Sequence, residues 1–172
     1  MTGERTAPTL DAPTLDAPEP TSAVLAGAAR YVAFFEALTP EALDTLGGVV
    51  TEDVHFVDPF NDTVGQDALR RVFLRMYADT QDPCFRVTHR AFDGSVCFLR
   101  WVFTARVRRL GAVWRIEGVS ELRFAPDGRV CEHVDHWDAG RQFYERLPGL
   151  GWLLRRVRRR LGHNEPDAVS RS

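Results

Sequence analysis

The chain has 172 residues, of which 44% are hydrophobic and 27% charged, and its formal net charge is −2. These values describe one globular domain with tails, long enough to bury a full core. No apolar run approaches the length of a membrane span, which excludes an integral membrane protein, and the start "MTGERTAPTLDAPTLDAPEP" has no basic region followed by an apolar block, so it does not read as a secretory signal. All 22 basic residues are Arg, which rules out Schiff-base chemistry through a lysine. Cys84, Cys97 and Cys131 are odd in number and form no CxxC pair, and they read as core thiols of a reducing, cytoplasmic compartment.

Residues 1–21 repeat "APTLD" among prolines without apolar periodicity, the composition of a disordered acidic leader. From Thr21 or Ser22, either a plausible N-cap, the positions Val24, Ala28, Tyr31, Phe35 and Leu38 fall at helical spacing. "TPEALDTLGGVV" predicts a short second helix with Thr39 as N-cap and Gly47 or Gly48 at its end. In "VHFVDPFND", Val54, Phe56 and Asp58 share the apolar side of a strand, which sets a carboxylate at the inner end of a greasy face. "GQDALRRVFLRMYADT" predicts a third helix burying Leu69, Val72, Phe73 and Met76.

Residues 84–137 read as strands. The alternation points Phe85, Val87 and His89 inward, then Cys97, Leu99, Trp101, Phe103 and Ala105, then Ile116, Gly118, Ser120, Leu122 and Phe124. "APDGR" is a hairpin signal, and in the strand after it Cys131, His133, Asp135 and Trp137 share one face. Three helices, a short strand and four strands in hairpin order define an α+β domain: a curved antiparallel sheet closed by N-terminal helices, spanning 22–138. A basic extension covers 139–162, in which "LPGLGWLLRRVRRRLG" predicts an amphipathic helix, and 163–172 reads as a disordered tail.

The blocks "RYVAFFEAL", "EDVHFVDPF" and "SELRFAPDGRV" resemble, in order and approximate spacing, those of ketosteroid isomerase. The order of elements over about 23–138 resembles the NTF2-like, or SnoaL-like, cone fold, which also includes polyketide cyclases. The resemblance implies that Asp58 is a general base and Tyr31 an oxyanion donor. Desolvation in an apolar mouth would raise the pKa of Asp58 and poise it for proton transfer. A second role for Asp58 is open, the capping of backbone in its own turn.

The family's second oxyanion donor, a protonated Asp, aligns with Ser120, a weaker donor, so steroid isomerisation as such does not follow. SnoaL-like cyclases place an acid/base Asp near the position of Asp135, which makes Asp135 a second candidate with His133 as its partner. The candidate catalytic residues are therefore Asp58, Tyr31, Asp135 and His133. Phe56, Phe60, Trp101, Phe103, Ser120 and Trp137 are expected to contact the substrate.

Two carboxylates and a histidine around an apolar pocket suit isomerisation, cyclisation or dehydration of a hydrophobic carbonyl compound, with no cofactor or metal. His133 and His136 point to opposite faces, and His89 is distant, so a chelating set is not expected. The alternative is a non-catalytic module that binds a small hydrophobic molecule or dimerises. The expected partners are such a molecule, a second copy of the chain and, through the Arg-rich helix, an anionic membrane surface; nucleic acid is disfavoured because the core shows no basic surface or base-stacking platform.

Overall fold

The structure, a computed structural model, describes residues 18–108 and 111–162. The repeats of the acidic leader and the tail 163–172 lie outside the described residues. Helix α1 (Ser22–Glu36) starts where the Thr21 hydroxyl accepts a hydrogen bond from the Val24 N–H at 3.3 Å, which satisfies one of the free amides of the first turn. Its buried stripe is Val24, Gly27, Ala28, Tyr31 and Phe35, with Leu38 continuing it beyond the helix end. The second helical segment is a 3-10 helix, Ala42–Gly48, entered through Thr39, whose hydroxyl accepts from the Ala42 N–H.

Strand β1 (Val50–Val57) and a short β2 (Asp62–Val64) form a hairpin, followed by helix α2 (Gln66–Asp79). Leu69 and Phe73 of α2 are buried, whereas Val72 and Met76 are half-buried at the edge of the core. Long strands follow: β3 (Thr80–Asp93), β4 (Val96–Val107), β5 (Ala112–Phe124) and β6 (Val130–His136). The six strands form one curved sheet in the order β2-β1-β6-β5-β4-β3. All pairs are antiparallel except β1 with β6, so the sheet is mixed rather than purely antiparallel as expected. That pair is possible because α2 and the three-strand meander give the chain enough length to cross over between parallel neighbours.

Two glycines let α1 lie directly on the sheet. Gly128, at φ +79°, turns the β5–β6 hairpin in a conformation that L side chains rarely adopt. A Cβ on Gly27 would overlap its carbonyl group. The Arg30 guanidinium donates to the same carbonyl at 3.3 Å. This contact, one turn before Tyr31, sets the height at which the tyrosine meets the concave face.

The alternation of β4 and β5 is as expected, but the register of β3 shifts between Gln81 and Cys84 and again between Val87 and His89, and β6 contains one bulge. In β3, Val87 pairs with Trp101 and His89 with Arg100, so Thr88 is an extra residue that reverses the faces beyond it. His89 is therefore exposed rather than inward. In β6, Phe124 pairs with Val130 and Arg123 with Glu132, so Cys131 is the extra residue. Val130 and His133 keep the inner face while Cys131 leaves it. Of the three cysteines expected in the core, Cys97 is buried, Cys131 is half-buried and Cys84 is exposed.

After β6 the chain forms a four-residue helix α3 (Ala139–Gln142), a 3-10 turn (Tyr144–Arg146) and helix α4 (Leu150–Leu161). The Gln142 side chain accepts from the Glu117 N–H at 2.7 Å and donates to the Glu117 carbonyl at 2.9 Å. It thereby takes over the edge of β5 beyond Val119, where the pairing with β6 ends. Phe143 lies against Trp114 and Phe60 with ring centroids 4.9 Å apart in both cases, anchoring the extension on the domain.

Candidate active site

The concave face of the sheet holds one chain of polar side chains within an otherwise apolar core. Trp101 and Ser120 come from β4 and β5, His133 and Asp135 from β6, and Tyr31 from α1. Asp135 is opposite Ser120 in the β5–β6 register, and Trp101 is opposite Gly118 on the neighbouring pair of strands. A Cβ at Gly118 would lie within 2.5 Å of the Trp101 ring, so the glycine makes the space in which the indole lies over β5.

From that position the Trp101 indole N–H donates to the Ser120 hydroxyl oxygen at 2.8 Å. The Ser120 hydroxyl donates to Asp135 Oδ1 at 2.5 Å. His133 Nε2 lies 2.8 Å from the same oxygen and 3.2 Å from Ser120 Oγ, while Nδ1 lies 2.5 Å from the Tyr31 hydroxyl.

The directions of these bonds follow from the donors. An ionised Asp135 only accepts, so His133 carries its proton on Nε2, and Nδ1 is left to accept from Tyr31. Burial pushes the Tyr31 pKa well above the ordinary tyrosine value of 10.0, and the negative charge of Asp135 pushes it further, so the phenol stays protonated and donates. His133 is 6% and Asp135 17% exposed. Both hydrogen bonds to Asp135 end on Oδ1.

These five side chains line one cavity of about 40 Å³. Its other walls are Val32 and Phe35 of α1, Phe73 of α2, Phe85 and Val87 of β3 and Leu99 of β4. The volume suits one or a few waters and is well below the several hundred Å³ of a site that encloses a drug-sized ligand. Phe35, Phe73 and Phe85 were not among the expected substrate contacts, although their periodicity had already turned them inward.

The other expected residues are placed elsewhere. Asp58 follows the last residue of β1 and is not in the cavity lining, which corrects its expected position. Its Oδ1 accepts from the Phe60 and Asn61 N–H groups at 2.7 Å, and the Asn61 side-chain amide reaches both carboxylate oxygens at 3.0 Å. The carboxylate thus binds its own turn, where Pro59 ends the strand and Asn61 closes the loop.

Phe56 is buried behind the site, its ring centroid 4.9 Å from that of His133. Phe103 stacks on Phe85 at 4.7 Å, outside the lining. Phe60 and Trp137 meet each other at 5.4 Å, and Phe60 also contacts Phe143 and Tyr144. These contacts make Phe60 and Trp137 part of the seam that holds the extension. Gln142 and Phe143 were not anticipated, and their only sequence signal was a polar–aromatic pair a few residues after the last strand.

A family model described as a SnoaL-like domain matches residues 31–133. Among solved structures, the chain is similar to an NTF2-like protein of unknown function from Exiguobacterium at 21% identity and a TM-score of 0.57, over 65% of this chain and 98% of that one. It is similar to a protein from Catenulispora acidiphila with a ketosteroid isomerase-like fold, at 15% identity and a TM-score of 0.58, over 67% of this chain and 88% of that one. It is also similar to a protein from Shewanella denitrificans described as a SnoaL-like polyketide cyclase, at 21% identity and a TM-score of 0.56, over 66% of this chain and 90% of that one. No curated protein matches the chain.

Proposed function

The chain belongs to the SnoaL-like domain family, and on that premise we propose that it is a proton-transfer enzyme in which Asp135 is the base. The observation that carries this reading is the asymmetry of the Asp135 carboxylate. Oδ1 is held by His133 and Ser120, and the same side chain lines an apolar cavity. That leaves Oδ2 as the oxygen to receive a proton from a carbon beside a substrate carbonyl.

In this scheme the C–H bond breaks, its proton goes to Oδ2, and the electron pair becomes the enolate. Return of the proton to another carbon isomerises the substrate; attack of the enolate carbon on a second carbonyl opens its C=O π bond and closes a ring, and the alkoxide so formed takes the proton back from Oδ2. His133 and Ser120 keep Asp135 oriented. Tyr31 acts through His133, fixing its tautomer by donating to Nδ1. The Ser120 hydroxyl can turn its proton from Oδ1 to the developing oxyanion while still accepting from Trp101. A substrate of several carbons requires outward rotation of the half-buried Phe85, because the cavity as it stands holds only water-sized groups.

The same small volume favours a second reading, in which the polar chain only orders the core of a binding or dimerisation module. Solvent-deuterium exchange separates the two. Wild-type protein incubated in heavy water with a panel of enolisable ketones and enones should label the carbon beside the carbonyl, followed by NMR. Asp135→Asn should slow that labelling by at least about a hundredfold, the lower end of what a positioned base contributes. Binding of these ligands without labelling of any would support the module instead.

A further inference from the structure

Helix α4 is amphipathic, yet it meets the preceding 3-10 turn with its polar edge rather than its apolar stripe. Leu150, Leu153, Leu154, Val157 and Leu161 recur at helical spacing and form one apolar stripe. Leu154 is half-buried, but the other four are exposed, Leu161 at 81%. The contact with the 3-10 turn Tyr144–Arg146 is made by the neighbouring polar edge. Gly151 sits so close to the Glu145 carbonyl that a Cβ there would overlap it. Arg155 donates to that same carbonyl, and the Arg158 guanidinium grips the Glu145 carboxylate at 2.6 and 3.0 Å. The clasp therefore presents the leucine stripe to the surroundings.

We propose that this face lies in the plane of an anionic lipid bilayer, with the leucines in the headgroup–acyl boundary and the arginines reaching the phosphates. Charge decides among occupants. Leu150–Leu161 contains five arginines and no acidic residue, and Arg156, Arg159 and Arg160 make no ion pair among the described residues. A second copy of α4 packed stripe to stripe would bring arginine rows against arginine rows. An anionic surface instead offers apolar depth beneath and negative charge around the rim, the arrangement that suits an interfacial helix with a basic polar face. Its 12 residues, five of them arginines, are too few to span the membrane.

Co-sedimentation of the full-length protein with vesicles tests this. Vesicles of equal parts phosphatidylglycerol and phosphatidylcholine should bind the protein, pure phosphatidylcholine should bind it far less, and added salt should release it. The variant Leu153→Asp/Val157→Asp, changed only at exposed positions, should lose binding while its circular dichroism and melting transition stay as in wild type. Arg156→Gln/Arg159→Gln/Arg160→Gln should weaken binding by roughly a hundredfold, about fivefold for each charge near the surface. Equal binding to both vesicle types, or none to either, would overturn the proposal. A dimer broken by the Leu153/Val157 variant would overturn it in favour of a second copy. Duplex binding lost only in the arginine variant, without vesicle binding, would overturn it in favour of nucleic acid.

Discussion

Asp58 and Asp135 stand one step beyond the Val57–Val134 pair on neighbouring parallel strands, and they use their oxygens in opposite ways. Asp58 turns both oxygens back on Phe60 and Asn61 and completes a loop. Asp135 fixes one oxygen on His133 and Ser120 and borders the cavity. The sequence supplies similar neighbourhoods for both: an aspartate at the inner end of an apolar strand face. What separates them is turn chemistry against register. Pro59 ends β1 just after Asp58 and Asn61 offers it three donors, whereas β6 continues through Asp135 and sets it opposite a serine. A carboxylate's role follows from which donors reach it first.

The contrast can be broken by substitution. His133→Leu should have the largest effect on folding, because it leaves the Tyr31 hydroxyl and the Asp135 charge without their buried partner; a loss of about 3 kcal/mol in urea unfolding is expected. Gly118→Ala should cost about 2 kcal/mol by forcing the Trp101 indole off Ser120, with a change in near-ultraviolet circular dichroism. Asp58→Ala should cost only about 1 kcal/mol, as for the loss of a backbone-capping side chain, with the near-ultraviolet signal unchanged. A loss at Asp58 equal to that at His133 would mean that the turn carboxylate belongs to the core network.

The smallest expected effect is on pH dependence. Tyr31 is protonated in the fold and its pKa is raised there by burial and by Asp135, while in the unfolded chain it titrates near 10.0. Between those values the unfolded state holds fewer protons, so this stabilisation is complete below pH 10.0 and is lost as pH rises toward the folded value. Wild type should therefore lose stability in that alkaline window more steeply than Tyr31→Phe. Parallel curves for the two proteins would show that Tyr31 ionises as readily folded as unfolded.

Much of the architecture was legible in the sequence, since it rests on periodicity. The stripe from Val24 to Leu38 and the alternations from Cys97 to Ala105 and Ile116 to Phe124 appear in the structure as predicted. That alternation also brought Ser120 and Trp101 to one face. The misreadings occur where a single extra residue reverses a face. Nothing in "VTHR" or "VCEH" announces the bulges at Thr88 and Cys131, because a bulge is chosen by the partner strand as much as by its own residues. Asp58 was ambiguous for a related reason: alternation assumes that the strand continues, and β1 stops at Val57. The exposed stripe of α4 was the hardest to foresee, since the spacing shows two faces but not which one the Glu145 clasp would choose.

The most direct test of the central claim, that Asp135 rather than Asp58 moves the proton, is the rate of carbon-bound deuterium exchange in Asp135→Asn and Asp58→Asn on the same labelled ketone. The structure predicts that Asp58→Asn keeps its turn and exchanges within a few-fold of wild type, while Asp135→Asn falls by about a hundredfold or more. Loss of exchange in Asp58→Asn with Asp135→Asn unaffected would contradict this account and return the base to the end of β1.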